Sequence, residues 1–247
     1  MKGNEAMSLI LACSLAVNLL GLAALAYKYL RPEPVKDWKD YTLKRTYWQD
    51  SVGYFALLNK VNPKDVLLVG DSMFDRLPPE RIWKDCSVGN RSIGYDNTRA
   101  LLHRLEQSVF AGNPRKVFLY IGGNDISKRS DLRQIVGEIE QIFDLLVEKG
   151  ITTYFVSLLP RGKKYDPSQR TLSEINQDLV LFNQMMESKC PNHQVQYINV
   201  ARLFTDKEGF LNPSLTSDSI HLNAKGIELL TGVLWPYVAE KNRGTGV

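Results

Sequence analysis

The sequence predicts a three-layer α/β/α domain with a mostly parallel five-stranded sheet, preceded by an N-terminal transmembrane helix. Two patterns predict it. From Asp65 onward, short β-branched or apolar runs alternate with longer amphipathic segments, and between Glu5 and Lys28 there are 22 residues without a charge. Alternation of the first kind builds a parallel sheet covered by helices on both faces. A chain of 247 residues, 44% hydrophobic and 23% charged, carries enough apolar material for one such domain, which excludes a disordered or fibrous protein.

The elements follow in order. The uncharged run is long enough to span a bilayer as a helix, which needs roughly 20 apolar residues. Its faces are all apolar, so it is not the amphipathic helix of a soluble core. Ala24-Leu25-Ala26 resembles a signal-peptide cleavage site, but the run exceeds the usual ~7 to 15 residues of such a segment, and an uncleaved anchor is expected. Residues 1–30 are therefore assigned to an anchor or signal segment, 31–60 to a juxtamembrane linker and an amphipathic helix near Tyr47 to Lys60, and 61–247 to the α/β domain. Lys28, Arg31, Lys36 and Lys39 follow the span while Lys2 precedes it, a charge bias that by itself keeps the domain in the cytoplasm. Strands are expected at Val66 to Val69, Cys86 to Gly89, Val117 to Ile121, Ile151 to Leu159 and Val195 to Val200. Helices are expected at Thr98 to Val109, Leu132 to Lys149 with Gly150 as C-cap, Ser173 to Lys189 and Ala224 to Ala239.

The charges, 31 Lys and Arg against 27 Asp and Glu, are scattered and give no basic stripe for nucleic acid. Three cysteines, Cys13, Cys86 and Cys190, are too few and too far apart for a disulfide framework or a cysteine-rich zinc site.

Three loops carry chemistry. The first strand breaks at Gly70-Asp71-Ser72 before a helical turn at Met73, which lifts a hydroxyl to the carboxyl edge of the sheet beside a helix N-terminus. The third strand ends in Gly122-Gly123-Asn124-Asp125, where glycines allow close approach and the Asn124 amide can donate to an oxygen that gains negative charge. Near the C-terminus, Asp218 stands three residues before His221, so its carboxylate can fix the imidazole tautomer and free the other nitrogen as a base. Asn223 can cap the final helix. Each of these segments alone also reads as an ordinary capped turn, Asp71 and Asp125 as turn-shaping residues, and His103 and His193 as surface or packing residues. The segment Pro160 to Thr171, with Arg161, Lys163, Lys164, Tyr165 and Arg170, could flank a site but reads better as a solvated loop.

Together the loops resemble those of the SGNH, or GDSL-like, hydrolase family over Asp65 to Ala239. Gly70-Asp71-Ser72 is similar to the family's nucleophile block, Gly122-Gly123-Asn124-Asp125 to its asparagine block, and Asp218-Ser219-Ile220-His221 to its D-x-x-H block. The segment Asn90-Arg91-Ser92-Ile93-Gly94-Tyr95-Asp96-Asn97-Thr98 is similar to its glycine block. There the family's oxyanion glycine stands immediately before the aspartate, where this chain has Tyr95, with Gly94 one position earlier. The resemblance implies a Ser72, Asp218 and His221 triad. It also implies an oxyanion hole formed by the backbone of Ser72, by Gly94 or Tyr95, and by Asn124, with no cofactor or metal. The function it implies is a membrane-anchored serine esterase acting on acetyl or other short acyl esters of a lipid, glycan or small molecule. An O-acyltransferase on the same framework, or an anchored binding protein without turnover, is the alternative. The expected partners are an acyl-ester substrate and the membrane, without nucleic acid. Similar anchored hydrolases commonly work outside the cytoplasm, which opposes the charge bias.

Overall fold

The computed structural model of the chain describes residue 42, residues 45–167 and residues 170–240. The transmembrane helix expected between Glu5 and Lys28 lies outside them, and among the described residues no helix is long and apolar enough to cross a membrane. The elements are α1 (Thr46–Val61), β1 (Val66–Gly70), α2 (Ser72–Asp75), α3 (Pro79–Ile82), β2 (Val88–Asn90), α4 (Thr98–Ser108), β3 (Lys116–Tyr120), α5 (Gly123–Ser127), α6 (Leu132–Glu148), β4 (Thr152–Val156), α7 (Leu172–Lys189), β5 (Gln196–Ile198), α8 (Ala201–Phe204) and α9 (Ala224–Ala239). The five strands are all parallel, in the order β2-β1-β3-β4-β5.

The aromatic side chains show how the layers form. Successive residues of a strand point to opposite faces. Phe155 of β4 packs edge-on against Phe143 of α6 and Phe182 of α7, whereas its neighbour Tyr154 turns to Tyr237 of α9 and stacks on Phe118 of β3. Every residue of β1 and β3 is buried, as strands covered on both faces require. Helix α6 starts at a side-chain cap, the Asp131 carboxylate accepting from Arg133 N–H, and its chain reverses at Gly150 with φ of 69°. Helix α1 packs onto the same body through Trp48 and Phe55, which are buried with Ile93 and Ala100.

Three strands differ from the pattern read in the sequence, β5 being confined to Gln196–Ile198 within the expected Val195 to Val200. The apolar run Ile151 to Leu159 leaves the ladder after Val156. After one more main-chain bond, from Ser157 N–H to the Ile198 carbonyl, side chains replace the sheet: Ser157 Oγ accepts from the N–H groups of Val200 and Ala201, and the Asn183 amide bonds both the N–H and the carbonyl of Leu158. Burial without strand pairing therefore continues the apolar run. β2 begins at Val88 rather than Cys86, because the Cys86 N–H is taken by a turn to Trp83 O.

Parallel order with a reversal beside β1 places a crevice at the carboxyl ends of β1 and β3. The chain turns sharply there. A Cβ on Gly70 would stand 2.0 Å from the Tyr120 carbonyl oxygen, so only glycine permits the approach of the two strand ends. Asp71 then caps α2 by accepting the Met73 N–H at 3.0 Å. Burial pushes the Asp71 carboxyl up to about 7, although the Met73 N–H and Arg161 pull it down. A carboxyl raised by folding stabilises the fold fully below its unfolded value near about 4, and that contribution is lost as pH rises through the folded value. Asp71→Asn keeps the capping oxygen and cannot ionise. Between pH 5 and pH 8 the variant is expected to gain roughly 2 to 3 kcal/mol on the parent, at about 1.4 kcal/mol per pKa unit. Urea midpoints at four pH values check this, and a gap that does not change with pH would refute it.

Candidate active site

Ser72 is the first residue of α2, directly after the turn that ends β1. Its Oγ lies 2.9 Å from His221 Nε2, a contact between residues 149 apart in sequence. On the other side of the ring, His221 Nδ1 lies 2.7 Å from Asp218 Oδ2. Asp218 Oδ1 accepts the N–H of Ile220 at 3.0 Å and of His221 at 2.7 Å. Burial works against the Asp218 charge, but hydrogen bonds from the His221 and Ile220 N–H groups and the His221 ring prevail and hold the carboxyl down at about 2. A carboxylate facing Nδ1 requires the proton there, which leaves Nε2 as the acceptor for the Ser72 hydroxyl. The loop that carries these groups is fixed locally. Ser219 takes a left-handed φ of 68°, its carbonyl accepts from Gly162 N–H, and the His221 carbonyl accepts from Ser217 N–H and Thr216 Oγ1. Asn223 caps α9 by accepting the Gly226 N–H, as its position suggested.

The remaining residues of the expected site meet on the neighbouring loop. The Asn124 amide nitrogen donates to the Asp96 carbonyl at 2.8 Å, which ties α5 to the Gly94–Asp96 loop. Gly122 starts α5 at a φ of 115°, and a Cβ there would press on the Phe182 ring at 3.2 Å. Gly94 and Tyr95 differ in backbone conformation. Gly94 lies beside the Asp75 carboxylate, whose charged form its N–H favours. Tyr95 takes a φ of 65°, the left-handed region that favours glycine, and among the described residues no hydrogen bond engages its N–H. The Ser72 N–H is at the start of a helix, where backbone donors have no partner within the helix.

Three residues tied to this site were not assigned to it from the sequence. Arg104 of α4 is fully buried and donates through Nε to Asp96 Oδ2 at 2.8 Å, and through its other nitrogens to the carbonyls of Arg91 and Gly70. Trp48 Nε1 donates to Asp96 Oδ1 at 3.0 Å from 48 residues away. Arg161, in the segment read as a solvated loop, is buried and reaches the Gly123 carbonyl at 3.2 Å, with its backbone clasped by Asn176. Lys163, Lys164 and Asp166 face outward, whereas Pro160 and Gly162 are buried and Arg170, half-buried, also donates to the Ile126 carbonyl. Lys163 and Lys164 line a pocket of about 500 Å³ that also touches Asp218, with Lys163 paired to Glu208, while Arg170 is paired to Asp178. His193 lies elsewhere, bridging Glu140 and Asp144. Among the described residues no group of three or more His, Cys, Asp or Glu could hold a metal ion.

Residues 68–229 match the model of the GDSL-like lipase/acylhydrolase family. The chain is 27% identical over 186 residues to the platelet-activating factor acetylhydrolase IB subunit alpha2 of Rattus norvegicus, covering 72% of this chain and 78% of that one. A solved structure from Streptococcus pneumonia, whose name refers to a platelet activating factor, superposes with a TM-score of 0.72 at 24% identity, covering 87% of this chain and 99% of the other. A GDSL-like lipase from Bacteroides thetaiotaomicron superposes with a TM-score of 0.68 at 19% identity, covering 76% and 96%. At these identities the two structures speak for the fold, and the family match covers the strand-end loops described above. The chain belongs to the GDSL-like lipase/acylhydrolase family and is a serine hydrolase of ester bonds.

Proposed function

We propose that the chain is a membrane-anchored esterase that removes acetyl or another short acyl group from a lipid, glycan or small-molecule ester through a Ser72–His221–Asp218 triad. The observation that carries the mechanism is the 2.9 Å contact between Ser72 Oγ and His221 Nε2, with Asp218 behind the ring. His221 takes the hydroxyl proton as Ser72 attacks the ester carbonyl, and the leaving alkoxide receives that proton as the acyl-enzyme forms. Asp218, held ionised, keeps the ring in the required tautomer and stabilises the imidazolium. Water then gives its proton to His221 and its oxygen to the acyl group, and Ser72 leaves with the proton. The oxyanion is bound by the N–H groups of Ser72 and Tyr95 and by the Asn124 amide. Of the two loop candidates, Tyr95 is preferred because it stands immediately before Asp96, in the place of the family's glycine, and takes the left-handed backbone that a glycine would adopt there.

Short acyl groups are supported by names among the relatives, an acetylhydrolase and a solved acetyl xylan esterase that superposes with a TM-score of 0.55. The anchor is supported by the uncharged run between Glu5 and Lys28, and an extracytoplasmic domain by resemblance to other anchored hydrolases.

Three outcomes are expected. Ser72→Ala and His221→Ala each lower kcat/KM on a short-chain nitrophenyl ester by on the order of 10³ or more, and Ser72→Ala abolishes fluorophosphonate labelling. Activity unchanged in either variant would overturn the mechanism. Asn124→Ala lowers kcat on the order of 10² to 10³ with KM little altered, the signature of a donor used chiefly in the transition state. The full chain sediments with membranes and resists a carbonate wash, and protease added to intact cells digests it. Recovery in the soluble fraction would overturn the anchor, and protection from protease the side.

A further inference from the structure

The start of α1 grips the loop that carries Tyr95. The Trp48 indole nitrogen donates to Asp96 Oδ1 at 3.0 Å, and both partners are buried. The Arg45 guanidinium lies 5.0 Å from the centre of the Tyr95 ring. Tyr47 makes a longer contact, 3.4 Å, with the Asp75 carboxylate, which lies beside Gly94. Gly94, Tyr95 and Asp96 are thus each reached, directly or through one carboxylate, from one turn of a helix that lies outside the matched family segment 68–229.

Tyr95 gives this grip a function. A residue with a Cβ at a φ of 65° is strained by roughly 1 to 2 kcal/mol, so the loop relaxes toward negative φ unless its neighbours hold it. Relaxation turns the Tyr95 peptide and carries its N–H away from the direction in which the oxyanion develops. The Asp96 carboxylate is the handle next to that peptide. One oxygen is held by Arg104 and the other by Trp48, while the Asp96 carbonyl takes the Asn124 amide. Without the indole N–H, one buried carboxylate oxygen loses its donor, at a typical cost of about 1 to 3 kcal/mol, and rotation of the loop is the way to recover solvent.

We propose that Trp48 is a positioning residue for the oxyanion loop: acting through the Asp96 carboxylate, it holds the Tyr95 N–H and the Asn124 amide in the orientation the transition state requires. The inference rests on the proposed serine-esterase reading of the site. It assigns to α1 a part in turnover rather than in stability alone.

The test compares the full-length parent, Ser72→Ala, Trp48→Phe and Asn59→Ala on the same nitrophenyl ester, with thermal midpoints for each. Trp48→Phe keeps an aromatic ring and removes the N–H. Asn59→Ala loosens the far end of α1, where Asn59 bonds Arg91 and the Gln107 carbonyl. Trp48→Phe is expected to lower kcat about tenfold with KM within about twofold and to slow fluorophosphonate labelling of Ser72 in parallel. Asn59→Ala is expected to lower the thermal midpoint while kcat stays at the parent value. Parental kcat in Trp48→Phe, or a kcat loss that simply follows the fall in midpoint in both variants, would overturn the assignment. A parent whose hydrolysis does not depend on Ser72 would instead overturn the esterase reading. If Trp48→Phe does not fold, benzothienylalanine at position 48, which replaces the N–H by sulfur and keeps the ring shape, gives the same comparison.

Discussion

The buried ion pair between Arg104 and Asp96 sets the geometry on which the site depends. Both side chains are excluded from solvent, and the guanidinium also bonds the carbonyls of Arg91 and Gly70. Gly70 precedes the nucleophile turn, Arg91 opens the glycine-block loop, and Asp96 ends its exposed part. One cation therefore fixes three separate pieces of backbone. A buried pair of this kind adds little net stability over a well-packed apolar substitute, whereas removing one partner typically costs about 3 to 5 kcal/mol. Its value here is geometric: an apolar pair could fill the volume but could not hold three acceptors in a fixed relation.

The fold supplies the rest of that geometry through connectivity. The switch in strand order on either side of β1, with all strands parallel, leaves the carboxyl ends of β1 and β3 next to each other, and the Gly70–Ser72 and Gly122–Asp125 loops follow those two strands. The histidine loop arrives from the far end of the chain. It is held not by the sheet but by the Gly162 N–H on the Ser219 carbonyl, so the loop after β4 carries the base toward the serine. Arg161, next to Gly162, extends that support to the Gly123 carbonyl beneath the asparagine loop.

What the sequence revealed and what it hid divide along one physical line. Elements whose cause is local were legible: α9 begins at its Asn223 cap and spans Ala224 to Ala239 as its pattern indicates, and Asp218 binds His221 within one turn of chain. Resemblance brought Ser72 and His221 together, since no spacing rule joins residues 149 apart. Features made by distant partners were hidden. The indole of Trp48 on Asp96 has no periodicity, the burial of Arg161 looks like any basic loop, and the run to Leu159 gives no sign that Ser157 and Asn183 will replace the sheet.

The choice between Gly94 and Tyr95 shows why composition misleads at such a site. A glycine in the segment invites assignment of the unusual backbone to it, yet the structure gives the left-handed φ to Tyr95. Position relative to the aspartate, rather than residue type, decides which peptide turns left-handed. Glycine would reach that conformation without strain and leave no side chain at the rim. Tyrosine places a ring there, 66% exposed, beneath Arg45. The strained peptide calls for support that a glycine would not, and its neighbour Asp96 is held by Arg104 and by Trp48 in the first turn of α1. On the proposed reading of the site, a tyrosine at this position ties the loop's geometry to a helix outside the family segment.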